Sequence, residues 1–96
     1  MEEEGGKMNI EPCFLCREEA IVERIIADKY DVRCEKCGKY IFYNGLNEDQ
    51  YKHLSEEEIE KISNYVNDYN VATNEFAEVG DIEELWIKIE SFYRRT

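Results

Sequence analysis

The chain has 96 residues, which is the size of one domain with a small hydrophobic core. Leu, Ile, Val and Phe together supply 23 residues, a larger share than disordered chains usually contain. The formal net charge of −11, from 23 acidic and 12 basic residues, disfavours binding to nucleic acid or anionic membranes through overall charge and favours a basic partner.

The beginning of the chain carries neither of the common targeting patterns. Residues 1–7 contain three Glu and one Lys, and lack the apolar stretch of a secretory signal and the arginines of a transit peptide. No later apolar run is long enough to span a bilayer. We therefore expect a cytoplasmic protein, with residues 1–7 as a disordered tail or an addition to the native chain, and one domain over residues 8–96.

Residues 8–45 are nearly neutral and carry β-strand patterns. They contain six basic and seven acidic residues, a net charge of −1. Residues 20–26 are rich in β-branched side chains, 30–34 alternate apolar and polar side chains, and 39–43 form a further short β run before Asn44-Gly45. Three strands are predicted here, with a turn at residues 27–29.

Residues 46–96 are acidic and carry helix signals. Their five basic and thirteen acidic residues give a net charge of −8. Helix starts are predicted from three pairs of capping residues, which are Asn47 with Gln50, Ser55 with Glu58, and Asp81 with Glu84. The first helix is short and ends near residue 54, the second ends near Asn70, and residues 71–79 are ambiguous. The third carries apolar side chains at helical spacing, at Ile82, Leu85, Trp86, Ile89, Phe92 and Tyr93.

Four cysteines form the pattern C-x2-C-x17-C-x2-C. They are Cys13, Cys16, Cys34 and Cys37. Because cytoplasmic thiols stay reduced, a disulfide pair is a poor explanation, and two C-x2-C turns joined by a hairpin can supply four thiolates to one zinc ion. A rubredoxin-like iron site has the same ligands, and a thioredoxin-like redox pair needs only one C-x-x-C. Four thiolates leave no open metal position, so hydrolysis by the metal is not expected.

The residues that follow the two cysteine pairs differ. Gly38 suits a turn in which backbone N–H groups point at sulfur, because it has no Cβ to clash. Arg17 holds the equivalent position after the first pair. We expect some backbone strain there, and a positive charge that offsets the net −2 of four thiolates with zinc.

The strand and cysteine residues together resemble a zinc ribbon. The residues concerned are Cys13, Cys16, Tyr30, Val32, Cys34, Cys37, Gly38 and Tyr40. More narrowly, they are similar to the ribbon at the front of many uncharacterised bacterial proteins, where a helix reading Leu-Ser-Gly-Tyr-Ile-Arg-Glu-x-Asn follows. Residues 62–70 match that helix in part, with Asn64 replacing Gly, and Asn67 and Asp68 replacing Arg-Glu. The resemblance covers residues 11–70 and implies a structural metal and a larger partner, but no reaction.

Other candidate residues have both a functional and a structural interpretation. Tyr40 and Phe42, together with the basic residues Arg17, Arg33, Lys36 and Lys39, form a candidate nucleic-acid-binding face. The alternative is that the two rings belong to the core. The only histidine, His53, is interpreted as a surface residue, since no motif pairs it with a nucleophile.

The last helix offers a candidate partner-binding face at Trp86, Phe92 and Tyr93. The alternative is that this stripe packs on the second helix and on the strands, and a second copy of the chain is a further candidate to cover it. The acidic run of Glu56, Glu57, Glu58 and Glu60 is explained by the positive end of the helix dipole, and its functional alternative is mimicry of a phosphate backbone or binding of a basic protein.

The sequence as a whole predicts an α+β fold, with a small three-stranded zinc ribbon over residues 8–45 followed by two to three helices over 46–96. We expect a non-enzymatic adaptor or regulator, from a bacterium or phage, with a structural zinc ion held by the four cysteines. It would bind a protein that has a basic or apolar surface. The alternatives are a nucleic-acid-binding ribbon and an acidic inhibitor that mimics nucleic acid.

Overall fold

The computed structural model describes residues 8–43, 45 and 48–95, and it contains one five-stranded sheet and three helices. The strands are β1 (Met8–Pro12), β2 (Glu19–Ile26), β3 (Lys29–Cys34), β4 (Gly38–Tyr43) and β5 (Ala77–Val79). The helices are α1 (Glu48–Lys52), α2 (Glu56–Thr73) and α3 (Ile82–Arg95). The α+β class and the presence of two main helices and a short one are as predicted.

The strand count differs from the three that were predicted. The strands lie in the order β1-β2-β3-β4-β5, and the three predicted ones, β2, β3 and β4, form the antiparallel centre. The additional strands lie at the two edges. β1 pairs with β2 in antiparallel fashion, and β5 pairs with β4 in parallel after the chain has crossed over through α1 and α2. Both were missed because short edge strands depend on a distant partner more than on their own pattern.

One face of the sheet forms the core. Val22, Val32, Tyr40 and Ala77 are successive cross-strand partners in β2, β3, β4 and β5, and all four are buried. Buried residues from all three helices join the same core cluster, which shows that the helices cover this face. Each large apolar side chain buried in this way contributes about 1.5–3 kcal/mol relative to an exposed one.

The start of α2 confirms the predicted capping pair, whereas the end of α2 differs from the one predicted at Asn70. Ser55 Oγ accepts a hydrogen bond from the Glu58 amide, and the Glu58 carboxylate accepts one from the Ser55 amide. The helix does not stop at Asn70 but continues to Thr73, where Asn74 adopts a left-handed conformation with φ of 59°. The reason is that the Asn70 side chain bonds to β4, so this residue has a tertiary role inside the helix.

The start of α3 agrees with the prediction, since Asp81 Oδ2 accepts a hydrogen bond from the Glu84 amide. Asn47, in the first predicted capping pair, and the predicted tail over residues 1–7 lie outside the described residues. Gln50, the partner of Asn47 in that pair, accepts a hydrogen bond from the Ile82 amide through Oε1. This bond ties α1 to the start of α3.

Candidate metal centre

The two C-x2-C pairs lie at the ends of neighbouring strands. Cys13 directly follows β1 and begins the turn that leads to Cys16, while Cys34 is the last residue of β3 and Cys37 directly precedes β4. Because β1 is joined to β3 through β2, the sheet brings both turns to one end. Cys13, Cys34 and Cys37 are buried, and Cys16 is half-buried.

Both turns end on a residue with positive φ. Gly38 has a φ of 98° and Arg17 a φ of 69°, so the two cysteine turns share this backbone feature. The left-handed conformation costs a residue with a side chain roughly 1–2 kcal/mol. The expectation of strain at Arg17 is therefore supported, and the Arg17 amide in return donates a hydrogen bond to the Cys13 carbonyl.

The spacing of the four sulfurs fits a single metal ion. All four Sγ atoms lie within 4.8 Å of one another. The Sγ atoms of Cys13 and Cys37 are 3.8 Å apart, and those of Cys16 and Cys34 are 3.5 Å apart. Sulfurs bound tetrahedrally at about 2.3 Å from one ion would be separated by about 3.8 Å. The four thiols are free and form a group that can hold a metal ion.

Neighbouring groups make the thiols unequal. The hydrogen bond that Cys13 shares with Cys37 lowers the pKa of Cys13 to about 5 and raises the pKa of Cys37. Burial raises the pKa of Cys16 to about 11. Of these three thiols, Cys13 is therefore the most acidic. Several thiolates enclosed together repel one another, so ionisation of the whole set requires a cation among them.

A tyrosine hydroxyl supports the first of these thiolates. Tyr40 is fully buried, and its Oη lies 3.1 Å from Cys13 Sγ. The same oxygen accepts a hydrogen bond from the Phe14 amide at 3.1 Å, which leaves its own proton for the Cys13 sulfur. The Leu15 amide also donates to Cys13 Sγ, at 3.4 Å. Such outer contacts orient a ligand and stabilise its ionised form.

The second cysteine turn is held against α2 by side chains on one face of that helix. Ser63 Oγ and Asn67 Nδ2 each donate a hydrogen bond to the Lys36 carbonyl, both at 3.0 Å. Asn70 accepts a hydrogen bond from the Lys39 amide at 2.8 Å and donates one to the Lys39 carbonyl at 2.9 Å. We call Ser63, Asn67 and Asn70 the α2 clasp.

The α2 clasp requires a very close approach between helix and turn. A Cβ placed on Gly38 would lie 2.8 Å from Asn70 Oδ1, 2.9 Å from Asn67 Oδ1 and 3.0 Å from Val66 Cγ1. Gly38 therefore has two functions, because it adopts the positive φ of the turn and it leaves room for the helix. Asn70 also donates to the Glu75 carbonyl at 2.7 Å, which guides the chain towards β5.

Sequence reasoning placed the thiols correctly but missed the α2 clasp and the role of the Tyr40 hydroxyl. The signal available for the clasp was the spacing of Ser63, Asn67 and Asn70 at i, i+4 and i+7 in the helix. Polar residues at this spacing on a buried face indicate bonding to another part of the fold.

The two rings of the candidate nucleic-acid face lie in the core, as the alternative interpretation of them expected. Tyr40 and Phe42 are both fully buried, and Phe42 stacks on Phe14 with ring centroids 4.1 Å apart. Neither ring is available to stack on a base. Strand alternation puts Tyr40 and Phe42 on the same side of β4 but does not say which side the helices cover, so the sequence left both interpretations open.

The basic residues of that face surround the cysteine turns together with acidic ones. Arg17 and Lys36 line one cavity with Glu56 and Glu60, and Arg33 lies in an ion pair with Asp31, with its guanidinium over the Phe76 ring. Lys39 is exposed and faces Arg33 across β3 and β4. His53 is exposed directly after α1 and is not part of the thiol cluster.

The candidate partner-binding residues of α3 are divided between core and surface. Trp86 and Phe92 are half-buried and pack against the core cluster, whereas Tyr93 is 41% exposed. The Tyr93 hydroxyl donates a hydrogen bond to Asp68 of α2 at 2.6 Å. Ile87, which sequence reasoning did not single out, is 63% exposed.

Comparison of the chain with models of protein families, with curated proteins and with solved structures found no match. In the part of the chain that the structure describes, no helix has the length and apolar character needed to cross a membrane. The function is therefore inferred from the chemistry of the molecule's own surfaces and thiols.

Proposed function

We propose that this chain is a non-enzymatic protein-interaction module whose fold depends on a structural zinc ion. The ion would be held by Cys13, Cys16, Cys34 and Cys37 in a site of zinc-ribbon type. The observation that carries the proposal is the cluster of four thiols at the junction of the sheet and α2.

Zinc is the metal that this donor set favours in a reducing compartment. Tetrahedral sets of four thiolates bind zinc or iron, and zinc is the usual choice for a structural site joined by C-x2-C turns. With four protein ligands the ion has no open position for water or substrate. The metal would therefore stabilise the fold, and the chain's own residues would orient the thiolates.

The position of the thiols explains why the metal matters for the whole domain. The cysteine turns connect β1 to β2 and β3 to β4, and the second turn is bound by the α2 clasp. In small metal-dependent domains the binding free energy is largely folding free energy. Loss of the metal is therefore expected to release α2 from the sheet as well as to loosen the strands.

The helical half supports binding to another protein. Residues 46–96 carry a net charge of −8, which favours a partner with a basic surface. Ile87 of α3 is 63% exposed, next to the exposed side chain of Lys88. Ile87 lines one groove with Tyr69 and Phe92, and an apolar patch rimmed by polar residues is typical of an interaction site.

Nucleic-acid binding is the weaker alternative. The two rings assigned to it are buried, and Arg17 and Lys36 share their cavity with Glu56 and Glu60. Alternating charges of this kind offer no continuous positive surface to a phosphate backbone.

The first part of the test is metal content. The purified full-length protein should contain one zinc per chain by mass spectrometry of the metal, and removal by a chelator should abolish the near-UV circular dichroism signal. Readdition of zinc to the same sample should restore it, which serves as the control. Iron at one per chain would change the metal assignment, and a folded chain with no bound metal would refute the proposal.

The second part is capture of partners from the source-cell lysate with zinc-loaded and with metal-depleted protein, each with and without nuclease. A protein partner that survives nuclease and requires the metal supports the proposal. Partners that disappear with nuclease would favour the nucleic-acid alternative instead.

A further inference from the structure

A groove of about 290 Å³ lies between α2 and α3 beside β5. Tyr65 and Tyr69 line it from α2, Ile87 and Phe92 from α3, and Glu78 from β5. Its surface is therefore aromatic and aliphatic, with one carboxylate, one lysine ammonium and one serine hydroxyl among the lining groups. A groove of this composition suits a large apolar side chain.

The aromatic side chains of the groove are held in place before any ligand arrives. The Phe92 ring lies 5.5 Å from Tyr65 in an edge-to-face contact and 5.9 Å from Tyr69. Tyr93 packs on the other side of Phe92 at 5.1 Å, and its hydroxyl is bonded to Asp68. Because these side chains are already ordered, binding to this surface costs little of their conformational entropy, which favours affinity.

A second groove of about 220 Å³ adjoins the first, since Glu78 and Lys88 line both. Asp81 and Glu84 line the second groove as well. The Lys88 ammonium lies 3.2 Å from Glu78, so one positive charge faces three carboxylates across this region. The excess of two negative charges gives the region complementarity to a cationic segment.

We infer that these two adjoining grooves dock a basic peptide segment of the partner protein, with one aromatic or branched aliphatic side chain between α2 and α3 and a neighbouring Lys or Arg at the acidic groove. The inference rests on the proposed function and names its binding surface. Charge complementarity selects this occupant over a second copy of the chain, whose helical half is itself acidic.

The docking surface is tied to the cysteine turns through α2. Tyr65 and Tyr69 project from the helix whose clasp residues bond to the backbone of Lys36 and Lys39. The position of one side of the groove therefore depends on the folded second turn. Peptide binding is expected to disappear when the metal is removed.

The test uses a phage-displayed library of random twelve-residue peptides, selected on the zinc-loaded full-length protein. We expect enriched peptides to place Lys or Arg beside Phe, Trp, Leu or Ile. Their dissociation constants are then measured by fluorescence anisotropy at low and at high salt. Ile87→Ser should weaken binding roughly tenfold by removing an apolar contact, and Glu84→Gln should reduce its salt dependence.

Matched variants separate a local effect from general changes in the surface. Val71 is 86% exposed on α2 and does not line either groove, so Val71→Ser is the control for Ile87→Ser. Glu57 is an exposed carboxylate at the start of α2, and Glu57→Gln is the control for Glu84→Gln. All four variants should retain the near-UV signal and zinc content of the wild type.

The outcomes distinguish this inference from the proposed function. Peptides without basic residues, or equal effects of Ile87→Ser and Val71→Ser, would overturn the docking assignment. A metal-dependent protein partner captured from lysate that binds Ile87→Ser normally would overturn it as well, while the proposed function stands. A chain dimer in sedimentation that dissociates on Ile87→Ser would assign the groove to a second copy instead. Absence of bound metal would refute the proposed function itself.

Discussion

Replacing Gly38 with alanine tests whether α2 is bound directly to the second cysteine turn. The new Cβ would lie 2.8 Å from Asn70 Oδ1 and 2.9 Å from Asn67 Oδ1, which is closer than real Cβ contacts allow. The two amide side chains can move only by giving up their hydrogen bonds to Lys36 and Lys39. The substitution is therefore expected to loosen the α2 clasp as well as to strain the turn.

The expected loss of stability has two parts. An alanine at φ of 98° costs roughly 1–2 kcal/mol in backbone strain. Moving the two asparagine side chains gives up two hydrogen bonds, the one from the Lys39 amide to Asn70 and the one from Asn67 to the Lys36 carbonyl, which contribute about 1 kcal/mol each. Together these terms lower the free energy of unfolding by about 3–4 kcal/mol, which is a large fraction of what a small domain has.

Urea unfolding at a fixed free zinc concentration measures this loss, because bound metal adds to apparent stability. Gly80→Ala is the matched control, since a Cβ there would make an ordinary contact of 3.6 Å with Tyr43. We expect Gly80→Ala to change the free energy of unfolding by less than about 1 kcal/mol. If Gly38→Ala unfolds at the same urea concentration as the wild type, α2 does not approach the turn as described.

Three further predictions concern the metal, its nearest hydroxyl and the contact between α2 and α3. Cys34→Ser should lose zinc on dialysis together with the near-UV signal, because a serine hydroxyl does not ionise at neutral pH. Retention of one zinc per chain and of the thermal midpoint would contradict a structural site. Tyr40→Phe keeps the ring but removes the hydroxyl beside Cys13. Zinc affinity, measured in competition with a chromophoric chelator, should therefore fall about 10–100-fold. An unchanged affinity would show that this hydrogen bond does not support the thiolate. Burial and the hydrogen bond to Asp68 raise the pKa of Tyr93 to about 12 from an ordinary value of 10.0, so the folded state holds this proton more tightly than the unfolded state. The stabilisation of the folded state that arises from this raised pKa is fully present below pH 10 and is lost as the pH rises towards 12. Urea midpoints of wild type and Tyr93→Phe should therefore converge over that range, and a constant difference would refute this origin.

The features that sequence reasoning found are those encoded over a few residues. The two C-x2-C pairs are local patterns, and their chemistry limits what four reduced thiols can do. The capping pair Ser55 and Glu58 is equally local, because an N-cap and the third residue of its helix touch within one turn. Neither pattern requires knowledge of which elements become neighbours.

The edge strands lie outside the reach of such patterns. β5 has only three residues and is stabilised by parallel pairing with β4, from which it is separated by α1 and α2. β1 likewise acquires its structure from β2. Both strands are stabilised by hydrogen bonds to strands that are distant in the sequence, so the residues of a short segment do not reveal them.

The identity of the core face was also decided only by the tertiary structure. Alternation along β4 places Tyr40 and Phe42 on one side and Ile41 on the other, but it does not say which side the helices cover. Docking of α2 through Asn67 and Asn70 buries the first side, turning Tyr40 into a partner of Cys13. The sequence by itself determined the thiol set, the main helices and the acidic charge of the second half. The additional strands, the α2 clasp and the groove between α2 and α3 arise from contacts between residues far apart in the chain, so only the folded arrangement reveals them.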